Sequence, residues 1–141
     1  MLLNRAKSDV QASWLRLLED MPMGEVHVPV RITNPYDPTR FWDGTFLVDS
    51  GATSSHVPTT VLESIGIQPT GVREVWLADN RPVRRLFSVA GFTVLEQTDY
   101  ASVFFADDSV EPILGLTVLE SMGFLIDPAR ERLLPRSAVT D

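Results

Sequence analysis

Seven residues occur twice in this chain. Thr60-Val61-Leu62-Glu63-Ser64-Ile65-Gly66 and Thr117-Val118-Leu119-Glu120-Ser121-Met122-Gly123 agree at six of seven positions, 57 residues apart. Each reads as a short helix that ends at a glycine, the residue that most easily adopts the left-handed backbone of a helix terminus. Thr60 and Glu63 have the spacing of a capping box. Each copy also follows an apolar stretch that stops at a glycine: Leu47-Val48-Asp49-Ser50-Gly51 before the first, Ile113-Leu114-Gly115 before the second. A repeated strand–glycine–helix unit predicts two halves related by a pseudo-twofold axis.

Most of the remaining chain has the period of β-strands. Between Glu25 and Ile32, Val26, Val28, Val30 and Ile32 alternate with His27, Pro29 and Arg31. That is a half-buried strand, and Pro29 predicts that it lies at a sheet edge. Asn34-Pro35-Tyr36-Asp37-Pro38 is a turn by composition, and Arg40 to Val48 returns as a second strand. Val72, Val75 and Leu77 rise to a turn at Asp79-Asn80, and Val83 to Ala90 comes back. Gly91 predicts a bend before Phe92, Val94 and Leu95, and Ala101 to Phe105 closes the series. Residues 8 to 20 differ: Ser8 and Gln11 fit a capping box, and Val10, Trp14, Leu17 and Leu18 form one helical stripe. Such a stripe either docks on the domain or meets a partner. With 141 residues, 44% of them hydrophobic, the chain is long enough for one domain with a real core. The expected organisation is a helix and linker over 1–23, a mostly β domain over 24–136 and a tail over 137–141.

The chemistry converges on Asp49. Phe46-Leu47-Val48 is a buried-strand pattern that ends on an acid, and a carboxylate there is costly unless it is hydrogen-bonded or reactive. Gly51 allows the sharp turn that brings a backbone N–H to it. The chain has no cysteine and two isolated histidines, so disulfides, thiolate metal sites and cysteine nucleophiles are excluded and no metal site is expected. The formal net charge is -7, which argues against nucleic acid as a partner. Arg130, Arg132 and Arg136 read as a solvated tail. The start of the chain is too polar for a signal peptide and no apolar run reaches membrane length. A soluble, cytoplasmic protein is the expectation.

Asp49-Ser50-Gly51-Ala52 resembles the active-site loop of aspartic proteases. Ile113-Leu114-Gly115 followed by the second helix resembles the second-half motif of the single-lobed, retropepsin-like family. The resemblance runs over about residues 24 to 135. The stretch from Val75 to Val83, with Leu77, Ala78, Asp79 and Asn80 at its centre, is similar to the Leu-Ala-Asp-Gly-type hairpin of the small microbial members. The implied fold is a mostly β, retropepsin-like half-barrel with short helices, to which the N-terminal helix is an addition.

The same resemblance implies a peptide or protein substrate, no cofactor, and a flap formed by Leu77, Ala78, Asp79 and Asn80. Asp49 would be the catalytic acid. One chain holds one such loop, so the resemblance implies a C2 homodimer in which two copies of Asp49 share a proton. Ser50 would bond across the axis, the Gly51 N–H would stabilise the carboxylates, Ala52 would line the subsite wall and Thr53 would lock the loop. Phe124-Leu125-Ile126-Asp127 echoes the first loop, but Pro128 follows and the echo comes after its helix, so Asp127 reads as a turn acid. The flap tip carries Asn80 and Pro82 instead of glycines, which predicts a stiffer hairpin. Ser54, Ser55 and Leu116 stand where the retroviral enzymes carry an acid and an arginine, so their dimer ion pairs are missing. His56 reads as an exposed loop histidine, or as a group that tunes the loop's pH response. Trp14 and Trp42 read as core or dimer residues, and Trp76 as one of these or as a substrate contact. A second function class stays open: a non-catalytic dimerisation or peptide-binding module that keeps the fold.

Overall fold

The alternation between Val26 and Ile32 is realised as drawn. In the computed structural model, which describes residues 25–76 and 79–135, Val26, Val28, Val30 and Ile32 are buried while His27, Pro29 and Arg31 are exposed. The helix expected over 8–20, Leu77 and Ala78, and the residues from Arg136 onward lie outside the described residues. Strand β1 (His27–Asn34) turns at Pro35-Tyr36 into β2 (Asp37–Asp49). The chain continues through β3 (Ser55–Pro58), α1 (Thr59–Ser64), β4 (Gly71–Trp76), β5 (Pro82–Val94), β6 (Gln97–Ala106) and β7 (Ile113–Gly115). It ends in α2 (Leu116–Met122), β8 (Phe124–Asp127) and β9 (Arg132–Pro135). No helix among the described residues is long and apolar enough to cross a membrane.

Seven strands form one sheet in the order β1-β2-β7-β3-β6-β5-β4, and β1 also pairs with β5. That extra pairing, from Arg31↔Thr93 to Thr33↔Gly91, closes six strands into a ring and leaves β4 outside it. The core fills the ring. Ile32, Phe46, Leu62, Phe92 and Leu114 are fully buried, each stabilising the fold by about 1.5–3 kcal/mol relative to an exposed side chain. Pro29 pairs with Thr45 on one side only, whereas β1 is paired on both sides from Arg31 to Thr33. The edge that the proline predicts is therefore local. Gly91 does not bend the chain into a separate strand. β5 runs through it unbroken, and a Cβ there would meet Tyr100 and Thr33 at 3.2 and 3.4 Å. The glycine marks the crossing where β5 contacts β6 and β1 together.

The pseudo-twofold expectation takes a specific form. β3 and β7 pair antiparallel at His56↔Ile113, and each is parallel to one further strand, β3 to β6 and β7 to β2. β3 feeds α1 and β7 feeds α2, so the strand equivalent to β7 is β3 and not the Leu47–Gly51 stretch. Both helices are followed by a left-handed glycine, Gly66 (φ 78) and Gly123 (φ 71). After α1, the Gly66 N–H donates to the Glu63 carbonyl and the Ile67 N–H to the Leu62 carbonyl, which closes the helix end. The capping box of Thr60 and Glu63 does not form. Instead the Thr60 N–H and hydroxyl both donate to Asp108 Oδ1 at 3.0 Å. A carboxylate from the β6–β7 turn thus satisfies a first-turn N–H that a local residue was expected to serve.

Asp127 ends β8 and is buried. It accepts a hydrogen bond from the Arg130 N–H, and the Arg132 guanidinium lies 3.5 Å from its Oδ2. Arg130 and Arg132 are therefore solvent-exposed but not part of a free tail: the β8–β9 hairpin brings them to a buried acid.

Candidate active site

β2 ends against β7. The parallel register sets Leu47 opposite Ile113, Val48 opposite Leu114 and Asp49 opposite Gly115. Flanking bonds hold this strand end on both sides: the Leu47 N–H donates to the Pro112 carbonyl at 2.9 Å and the Val48 N–H to the Val26 carbonyl at 2.8 Å. Beyond Asp49 the chain turns back on its own carboxylate. The Gly51 N–H donates to Asp49 Oδ1 at 2.9 Å, and the Ala52 N–H donates to the Asp49 carbonyl at 3.1 Å. A Cβ on residue 51 would sit 3.1 Å from that Oδ1, so glycine is the residue that permits the approach.

The far side of the loop is held by the second half. The Leu116 N–H donates to the Ala52 carbonyl at 2.8 Å and the Thr117 N–H to the Thr53 carbonyl at 3.0 Å. The Thr117 hydroxyl also donates to the Thr53 carbonyl, at 2.7 Å. The orphan donors of the first turn of α2 are thus satisfied by the Asp49 loop. Gly115 fits beneath it: a Cβ there would lie 2.5–2.9 Å from backbone atoms of Ser54 and Ser55. Its N–H donates to the buried Ser55 Oγ at 2.9 Å. Ile113, Leu114 and Gly115 therefore build the loop's support. Thr53 is tied through its carbonyl, and its side chain is exposed. Ser50 is exposed and its hydroxyl makes no hydrogen bond among the described residues. Ser55 and Thr117 are site residues that sequence reasoning missed. The alternation of Ser55 and Val57 around His56 is the signal that would have put the Ser55 hydroxyl inside.

The strand register also defines the face on which Asp49 stands. Leu47, Ile113, His56, Phe104 and Phe87 follow one another across β2, β7, β3, β6 and β5. The His56 ring stacks on Phe104, with centroids 5.4 Å apart and planes at 25°, and Phe104 meets Phe87 at 6.3 Å. His56 is thus a half-buried strand residue and not an exposed loop histidine. Burial pushes its imidazole below the ordinary range, with Arg85 adding to the effect. The Ser54 backbone and the Asp49 carboxylate pull the other way, though no group reaches the buried Nδ1 in hydrogen-bonding geometry among the described residues.

β4 and β5 form the hairpin expected to be the flap. Val83, Arg85 and Phe87 are half-buried on its inner side, while Arg84 and Leu86 are exposed on the outer side, as are Val72 and Trp76 on β4. Trp42 instead packs against the core, 6.2 Å from Phe46. At the hairpin tip Asn80 is left-handed (φ 65), and the Arg81 N–H and Nε donate to Asp79. Asp79 and Asn80 are exposed at the tip of the hairpin.

No family model matches the chain, and no curated protein is similar to it in sequence. Solved structures resemble it in fold. The foamy viral protease-reverse transcriptase in complex with RNA/DNA hybrid is 15% identical, with a TM-score of 0.50. That match covers 69% of this chain and 12% of the viral polypeptide, so the chain spans only a small part of that relative's length. The EIAV protease complexed with the inhibitor HBY-793 is 16% identical with a TM-score of 0.52, covering 71% of this chain and 89% of that one. Both are viral proteins rather than the small microbial ones that the Val75–Val83 hairpin suggested. At such identities the likeness is one of fold. The chain has the mostly β fold of the retropepsin-like proteases.

Proposed function

We propose that this protein is a homodimeric aspartic endopeptidase. The observation that carries the reading is the loop from Asp49 to Thr53. It presents a carboxylate at a strand end, held by the Gly51 N–H and supported by Gly115 and α2. A single chain offers one such acid, because Asp127 is engaged by Arg130 and Arg132. Two chains related by a twofold axis bring two copies of Asp49 together. Like charges that close share one proton. The ionised carboxylate takes a proton from water, and the protonated one donates to the scissile carbonyl as the tetrahedral intermediate forms.

The other residues of the loop take roles that fit their surroundings. The Ser50 hydroxyl, without a partner among the described residues, bonds across the axis. Ala52 lines the wall of the site. The peptide lies extended between the loop and the β4–β5 hairpin, with Leu77, Ala78, Asp79 and Asn80 at its cover. That hairpin also motivates the finer kinship with small microbial members of the family. Ser55, buried under Gly115, has no place in a dimer ion pair, so the dimer relies on other contacts. A non-catalytic peptide-binding module is the second reading, favoured by the tip in which Asp79 ties Arg81 and stiffens the hairpin.

The test is cleavage of a mixed, unstructured peptide pool by the wild type and by Asp49→Asn, from about pH 4 to 7, where a shared-proton dyad operates. Activity lost in Asp49→Asn, from a protein that sediments as a dimer, is the expected result. Activity retained in Asp49→Asn overturns the reading. A folded wild type without activity moves the assignment to the binding module.

A further inference from the structure

The two faces of the β4–β5 hairpin treat charge in opposite ways. On the outer face Glu74 stands directly opposite Arg84, a complementary cross-strand pair. On the inner face Arg73 stands directly opposite Arg85. Like charges in that position are destabilising, and the chain as a whole is acidic, so a local excess of positive charge here needs a reason.

The two arginines are not equivalent. Arg73 lies over the Phe87 ring at 3.9 Å and donates to Ser102 Oγ at 3.3 Å. Arg85 is half-buried and makes no ion pair or side-chain hydrogen bond among the described residues. It acts electrostatically on His56 and on Asp107. Asp107 attracts Arg85 at a distance but forms no salt bridge with it among the described residues; its Oδ1 accepts from the N–H and hydroxyl of Ser109 at 2.9 and 2.8 Å. His56, held toward its neutral form by burial, adds no second positive charge beside Arg85 and can supply no negative one. A guanidinium partly removed from water, opposite a second one across the strand pair and without a salt-bridged carboxylate among the described residues, is a site prepared for a carboxylate. Its position sets what the carboxylate belongs to: Arg85 shares the face that carries Phe87, Phe104, His56, Ile113 and Asp49.

We propose that the inner face of the β4–β5 hairpin is an anion-selective subsite, in which Arg85 takes the side-chain carboxylate of an aspartate or glutamate in the bound peptide. This rests on the reading of that face as the peptide-binding face, but not on catalysis. The carboxylate relieves the repulsion between Arg73 and Arg85 and forms a paired, charge-assisted hydrogen bond with the guanidinium. Arg85 is a specificity residue and touches no reacting atom.

The experiment uses a peptide pool in which one position at a time is Glu, Gln, Lys or Leu. Cleavage is read for the wild type, Arg85→Lys and Arg85→Glu. Binding of the same fluorescent peptides to the Asp49→Asn chain, with and without Arg85→Glu, is read by anisotropy. At one position Glu is expected to exceed Gln by about tenfold or more, the scale of a charge-assisted pair. Arg85→Lys retains part of that preference, and Arg85→Glu reverses it in favour of Lys. Absence of any acid preference in binding overturns the subsite, as does a preference that survives Arg85→Glu. Acid-selective binding without cleavage by the wild type upholds the subsite and removes the protease reading, so the two fail separately.

Discussion

Asp49 and Gly115 face each other across the parallel β2–β7 pair, and the space a side chain at 115 would need is filled by the backbone of Ser54 and Ser55. The acid and the glycine belong to different halves of the chain. The loop that carries the carboxylate is therefore shaped by a residue 66 positions away.

Gly115→Ala tests that relationship. The added methyl would sit 2.5 Å from the Ser54 carbonyl carbon, and backbone cannot rotate aside as a flexible side chain does. The expected loss is about 2–3 kcal/mol, the scale of overpacking in a tight interior. Urea denaturation measures it. The proposed peptide cleavage should fall further than the loss of folded protein explains, because the displacement enters the Asp49 loop directly.

Ser55→Ala removes the acceptor of the Gly115 N–H without adding bulk. A buried donor left unpaired costs about 1–3 kcal/mol. A midpoint shift in urea at unchanged slope is the expected signature. A value near zero would mean that another acceptor reaches the Gly115 N–H.

The β5–β6 turn carries avoidable strain. Leu95 (φ 47) and Glu96 (φ 70) are both left-handed, a conformation that two-residue hairpins give to Asn-Gly. Replacing the pair by Asn and Gly is expected to stabilise the chain by about 1–2 kcal/mol. Because Leu95 is largely exposed, little core is lost in the exchange. Thermal and urea unfolding should both move upward together.

His56 gives a pH dependence with a definite sign. Its folded-state pKa lies below the 6.5 of the free imidazole, so the unfolded chain binds the proton more readily. The stability that comes from keeping the ring neutral is complete above about pH 6.5 and is lost as pH falls through the lower, folded-state value. His56→Phe keeps a ring against Phe104 and removes the buried Nδ1. It should unfold with a shallower pH dependence between pH 7 and 5. Identical slopes for the two proteins would show that His56 does not titrate on unfolding.

Much of this structure was legible in the residues. The valines of β1, the glycines that end both helices and the Asp-Ser-Gly turn are local signals. Each depends on a period of two, a left-handed backbone or a short-range hydrogen bond that a few neighbours specify. The match of Thr60–Gly66 with Thr117–Gly123 carried the two-half plan across the chain for the same reason, since similar heptapeptides make similar helices.

Other features were not legible because they depend on which distant strand becomes a neighbour. The Thr60 N–H looked for its partner in Glu63 and found it in Asp108. Arg130 and Arg132 looked like a tail until the β8–β9 register brought them to Asp127. His56 entered a strand because β6 and β7 flank it, and Arg85 met Arg73 only through the β4–β5 register. A period of two tells which side chains share a face of one strand. Which charges and rings then meet across strands is set by register and by the closure of β1 on β5, and those are long-range events that no stretch of this sequence encodes alone.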